Sequence, residues 1–182
     1  MAEVKVLIKG YTSDKTGKSC ATISLVKDKD IIMMVDPGCL KSRQMLIDAL
    51  KKEGLGINDI NYVCLTHSHI DHYINAGMFP KARVLEKYGL WHKDNVKGWK
   101  EQFSKDIKII KTPGHDKTSI TLLVKTNKGT IAVCGDLFWG ENYPKKDPYA
   151  DNPKKLIENR KKVLGLADWI VPGHADIYKV KK

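Results

Sequence analysis

The sequence predicts an α/β domain, on three observations. Short apolar runs of strand length punctuate the whole chain, two stretches show helical periodicity behind capping residues, and Pro-Gly recurs three times just after an apolar strand. At 182 residues the chain is expected to form one domain (1–182), long enough to bury a core without staples.

Residues 3–9 open as a strand in which Val4, Val6 and Ile8 alternate with Lys5, Leu7 and Lys9, leaving one apolar residue on the outer face. Residues 21–27 and 31–35 follow as strands on either side of Asp28-Lys29-Asp30. The second of them, Ile31-Ile32-Met33-Met34-Val35, is apolar throughout, as expected where both faces are covered. Ser42 can cap a helix running to Glu53, with Met45, Leu46, Ala49 and Leu50 on one face and Gly54 beyond its end. Strands are expected at 61–65, 82–86, 107–111, 119–126 and 130–134. Asn152-Pro153 opens a second helix to Leu166, and Trp169-Ile170-Val171 is the last strand. Tyr11 to Ser19 reads as a polar loop, and Phe138 to Pro153 as a long insertion rich in aromatics.

Composition bounds the function. With 42% apolar and 29% charged residues, the chain is neither disordered nor collagenous. No apolar run approaches the roughly 20 residues of a membrane span, and the N-terminal stretch lacks the pattern of a signal peptide, so a cytoplasmic protein without a membrane partner is expected. Cys20, Cys39, Cys64 and Cys134 are scattered and expected to be reduced. The net charge of +11 rests on 29 lysines and only three arginines, Arg43, Arg83 and Arg160. Readers of nucleic acid favour arginine's planar fork, so a lysine-biased solvated surface is the simpler reading; nucleic acid stays open as a partner.

Chemistry concentrates at strand ends. The strand at 61–65 runs into Thr66-His67-Ser68-His69-Ile70-Asp71-His72, a dense set of metal-ligand types. In an extended loop His67 and His69 point the same way and can bind one metal, while Asp71 and His72 diverge toward a second. Two of the Pro-Gly steps deliver a histidine, His115 and His174, and Asp136 follows a buried strand, where an unpaired carboxylate is costly. These seven residues suit Zn²⁺, and also Fe or Mn. Asp36 occupies an equivalent strand end and is expected to stand behind a ligand histidine. His92 is left as a surface or packing residue.

The order His67-x-His69-x-Asp71-His72, then His115, Asp136 and His174, resembles the metallo-β-lactamase superfamily over nearly the whole chain. Within it the chain looks most like the metallo-beta-lactamase domain-containing protein 1 group and its glyoxalase II-like relatives. The resemblance implies a four-layer αββα sandwich and two zinc ions per chain. It places His67, His69 and His115 at one metal, Asp71, His72 and His174 at the other, and Asp136 between them; Asp36 matches an aspartate at the end of an early strand. His69 stands where the oxygen-reducing diiron branch has an acidic residue, and Asp136 where the zinc β-lactamases have cysteine. Tyr73-Ile74-Asn75 departs from the glycine pair usual in glyoxalases. The chain ends eight residues after His174, so the helical glutathione-binding domain of glyoxalase II is not expected.

The implied reaction is hydrolysis by a metal-bridging hydroxide, the ions lying about 3.5–4 Å apart, with Asp71 relaying a proton. A small ester, thioester or lactone is the expected substrate; RNA or single-stranded nucleic acid is the alternative. Tyr11, Phe138, Trp139 and Tyr143 are candidates for the substrate rim, with Lys145-Lys146 beside it. The protein is expected to act as a monomer or homodimer.

Overall fold

The computed structural model describes residues 1–181. Strand β1 (Glu3–Ile8) leads into a hairpin of β2 (Tyr11–Ser13) and β3 (Lys18–Cys20), then β4 (Ile23–Asp28) and β5 (Ile31–Val35). Helix α1 (Arg43–Lys52), β6 (Tyr62–Cys64) and the single-turn α2 (Ile70–Tyr73) precede β7 (Arg83–Glu86), β8 (Gly89–His92) and β9 (Asn95–Lys97). The second half holds β10 (Ile107–Lys111), β11 (Ile120–Thr126), β12 (Gly129–Val133), α3 (Pro153–Leu166), β13 (Trp169–Val171) and β14 (Tyr178–Lys179). One sheet has seven strands in the order β1-β4-β5-β6-β7-β8-β9, the other five in the order β10-β11-β12-β13-β14. Both are mixed: β5-β6-β7 and β12-β13 pair in parallel, and the remaining neighbours are antiparallel.

The two-residue period of each strand sorts its apolar side chains into three cores. Val26, Met33, Val35, Ile109, Leu122, Val133 and Val171 meet between the sheets. Leu25, Met34 and Val63 point the other way, onto Leu46 and Leu50 of α1. Leu123, Ala132 and Ile170 do the same onto Leu156 and Val163 of α3. Helix, sheet, sheet and helix therefore stack as four layers, the expected αββα sandwich, and the β5 run is apolar throughout because both its faces are covered. Each fully buried Leu or Met contributes about 1.5–3 kcal/mol.

The helices begin where their caps predict. Ser42 Oγ accepts from Gln44 N–H (3.2 Å), and Asn152 Oδ1 accepts from Lys155 N–H (3.0 Å) with Pro153 in the first turn. Four sequence expectations need correction. The 11–19 loop contains the β2–β3 hairpin, whose short polar strands pair only with each other and so carry no burial pattern. β8, β9 and β14 form where the sequence shows no strand pattern. The register of β1 shifts between Val6 and Ile8, so Ile8 joins Leu7 in the outer core instead of alternating with it. Asp71 and His72 sit on α2, not in an extended loop. The cysteines are free. No described helix is long and apolar enough to cross a membrane.

Candidate metal centre

Five strand ends converge on one edge of the sandwich. β5 delivers Asp36, β6 the 67–72 segment, β10 His115, β12 Asp136 and β13 His174. His69 precedes α2 with extended backbone (ψ 137°), and the helical turn then carries Asp71 and His72. All seven expected ligand residues are brought together. His67, His69, His115 and Asp136 form one group and Asp71, His72 and His174 another, each with one ligand atom per residue within 4.8 Å of the rest. The Asp136 carboxylate faces both. Its Oδ1 lies 3.3 Å from His72 Nε2 and 3.2 Å from His174 Nε2, and its Oδ2 3.3 Å from His115 Nε2. His92 lies exposed on β8, outside both groups.

The hydrogen bonds around the cluster fix the protons. Asp36, in the left-handed region (φ 48°), turns its carboxylate back to accept from Thr66 N–H (2.8 Å), Thr66 Oγ1–H (2.6 Å) and His72 Nδ1–H (2.8 Å). Because the Thr66 hydroxyl hydrogen goes to Asp36, its oxygen accepts from His67 Nδ1–H (3.1 Å). His174 Nδ1–H donates to the Cys20 carbonyl (3.2 Å), and His115 Nδ1–H to Asp147 Oδ2 (2.7 Å). In the neutral form of these four imidazoles, then, Nε2 carries the lone pair and faces the centre. His69 turns the other way: its Nδ1 faces His115 Nε2 (3.0 Å) and its Nε2 lies 4.0 Å from Asp116 Oδ2.

The buried atoms His67 Nε2, His72 Nε2 and Asp136 Oδ1 have no hydrogen-bond partner, a deficit of the kind a cation repairs. Burial, then His72, holds His67 well below the usual histidine pKa. Burial also opposes charge on His72, but Asp136 and Asp36 outweigh it and raise its pKa. His174 is raised through its bond to Asp136, again against burial. Despite burial, Asp136 is held well below the carboxylate range by His72 and His174. Imidazole and carboxylate donors of this kind, with lone pairs converging, fit divalent transition metals.

A cavity of about 680 Å³ opens over the cluster. It is lined by Thr12, Ser13, Lys18 and Ser19 around the hairpin, by Ile70 and Asp71 of α2, and by Trp139 and Tyr149. Those two rings stack at 5.7 Å, and Trp139 also stands edge-on to His115 at 6.4 Å. Ser19 Oγ–H donates to Asp71 Oδ2 (2.5 Å).

Three rim expectations are corrected. Phe138 is fully buried beside Tyr143 (4.9 Å), and the Tyr143 ring lies 4.4 Å from the Arg160 guanidinium; both aromatics enclose this buried cation of α3 instead of facing the cavity. Tyr11 is half-exposed on β2 and is not among the cavity-lining residues, unlike its neighbours Thr12 and Ser13. Trp139 alone of the four lines the cavity, and the lining likewise leaves out Lys145 and Lys146. Thr66, Asp116 and Asp147, which contact ligand histidines, are not among the sequence candidates. Thr66 and Asp116 adjoin ligand histidines in sequence and could have been found so, but Asp147 lies 32 residues from His115 and carries no spacing signal.

The sequence profile of the metallo-beta-lactamase superfamily matches residues 21–109. "Metallo-beta-lactamase domain-containing protein 1" of Xenopus laevis is 30% identical over 98% of this chain and 82% of its own length. The chain spans 59% of the human protein of that name. "Probable metallo-hydrolase MJ0296" of Methanocaldococcus jannaschii is 32% identical over 82% of this chain and 74% of its own. In fold the chain is also similar to an N-acyl homoserine lactone hydrolase solved with product at its catalytic metal centre, with a TM-score of 0.70 at 15% identity over 95% of this chain and 92% of that one.

Proposed function

Because the chain belongs to the metallo-beta-lactamase superfamily, we propose that it is a metal-dependent hydrolase that holds two zinc ions and acts on a small ester, thioester or lactone. The observation that carries this reading is the convergence of seven ligand-type residues in two adjoining groups, with the buried His67 Nε2 at their centre left without a hydrogen bond. His67, His69 and His115 would hold one ion and Asp71, His72 and His174 the other, with the Asp136 oxygens turned to both. When bound, such ions supply Lewis acidity and bring the pKa of water toward neutrality, so no serine or cysteine nucleophile is required.

The chain's own residues do the rest. Asp36, through Thr66 and directly, keeps the His67 and His72 lone pairs pointed inward. Asp71 borders the cavity, and its Oδ1, the oxygen not bonded to Ser19, would accept the proton that the attacking water loses and pass it to the leaving alkoxide or thiolate. Trp139 and Tyr149 shield the reacting carbonyl from bulk water and cover its acyl group. A cavity of about 680 Å³ suits a small molecule, and Lys18 is the single lysine among its lining residues, which favours an acyl substrate over a polyanion.

Parallel assays on a chromogenic thioester and a labelled single-stranded RNA test the choice. Zinc-loaded protein should turn over the thioester, and Asp136→Ala should abolish that activity. Metal-dependent RNA cleavage at a comparable rate, with RNA affinity falling steeply with salt (log–log slope about −0.7 per phosphate contact), would reverse the choice of substrate.

A further inference from the structure

The segment between Leu137 and Pro153 contains no helix or strand, yet the Asp147 side chain within it is fully buried. Both neighbouring elements grip it. On the side of the His115 turn, Asp151 N–H donates to His115 O (3.0 Å) and Asn152 N–H to Gly114 O (2.9 Å), while Lys117 N–H donates to Asp151 Oδ2 (2.9 Å). On the side of α3, Arg160 Nε–H donates to Leu137 O (2.7 Å) and Nη1–H to Pro144 O (3.1 Å). Within the segment, Tyr149 N–H donates to Asp147 Oδ1 (2.9 Å).

Asp147 Oδ2 is thereby placed 2.7 Å from His115 Nδ1, with Arg160 Nη2 4.0 Å behind it. An ionised carboxylate offers only acceptors, so this bond holds the imidazole proton on Nδ1 and leaves Nε2 to face Asp136 and His69. A buried carboxylate is costly unless it is paired, and its shortest contact here goes to the histidine, not to the arginine. The same segment also supplies Trp139 and Tyr149 to the cavity wall.

We infer that Asp147 is a positioning residue for His115. It fixes the ring's tautomer and aim, so that the segment forming the aromatic wall also sets one metal site. The inference rests on the two-metal reading above.

The test is zinc affinity, measured by competition with a chromogenic chelator, together with the cobalt(II) absorption spectrum. Asp147→Ala should lose about ten- to a hundredfold in affinity at one of the two sites and alter the cobalt spectrum. Asp147→Asn keeps the volume but has one acceptor where the carboxylate uses two; with its oxygen on Tyr149 N–H its amide hydrogens face His115 Nδ1, so it too should weaken zinc binding at that site. Folded Asp147→Ala with both wild-type zinc affinities and a wild-type cobalt spectrum would overturn the inference. Should the alanine variant fail to fold, Asp147→Asn decides by itself: weakened zinc binding supports the role, and unchanged binding overturns it. Wild-type protein that cannot hold zinc against the chelator would instead overturn the metal reading, and the inference with it.

Discussion

Gly173 lies so close to the Asp136 carboxylate that a Cβ at position 173 would collide with Oδ1. Its backbone cannot retreat, because Gly173 N–H donates to Phe138 O (2.8 Å) and Gly173 O accepts from Thr22 N–H (2.6 Å). The Pro-Gly step before His174 thus makes room for the carboxylate that faces both halves of the cluster. Gly173→Ala is expected to weaken zinc binding at both sites at least tenfold, while the overpacking costs about 1–3 kcal/mol of stability. Competitive metal titration and denaturant unfolding check this; wild-type affinity at both sites contradicts it.

Proton release should accompany metal binding. In the metal-free protein His72 and His174 have raised pKa values because Asp136, with Asp36 for His72, outweighs burial. Imidazolium therefore persists to higher pH than usual and must lose its proton to ligate, so zinc affinity should climb as pH rises through the raised values. Calorimetry near pH 7 in two buffers of different ionisation enthalpy should report net proton release. For the stability of the metal-free fold the sign is opposite: the contribution of these two histidines is full below the ordinary histidine pKa and is lost as pH rises through the raised values.

Single substitutions should be graded. Asp136→Ala removes the carboxylate that both groups share and should lower zinc content from two ions per chain to below one. His92→Ala, at the exposed end of β8, should leave metal content and activity at wild-type levels. Elemental analysis after zinc loading and desalting distinguishes them. A wild-type chain that never exceeds one tightly held ion speaks against the dinuclear reading.

The fold should outlast its metal. Its apolar burial lies between the sheets and under α1 and α3, built from residues other than the ligands. Chelation should abolish hydrolysis with a near-native circular dichroism spectrum, whereas Leu122→Ala, fully buried between the sheets, should cost about 2–5 kcal/mol. Global unfolding on chelation would show that the metals hold the core together.

Much of this was legible because its causes are local. The double-faced burial of Met33, Met34 and Val35 follows from a continuous apolar run, and the helix starts follow from Ser42 and Asn152. The strand-end position of the candidate ligands likewise follows from apolar runs that stop at His67, at Asp136 and at two Pro-Gly-His steps. Only the tertiary structure decided which acceptor each imidazole meets: Asp36 reaches His72 across 36 residues and Asp147 reaches His115 across 32, separations that no periodicity encodes. It also decided among the aromatics of one loop. Arg160, buried beneath the loop, has Phe138 and Tyr143 around its charge, and Trp139 and Tyr149 line the cavity with the candidate ligands. A side chain in an irregular segment takes its environment from what packs against it, and here that was a helix lying later in the chain.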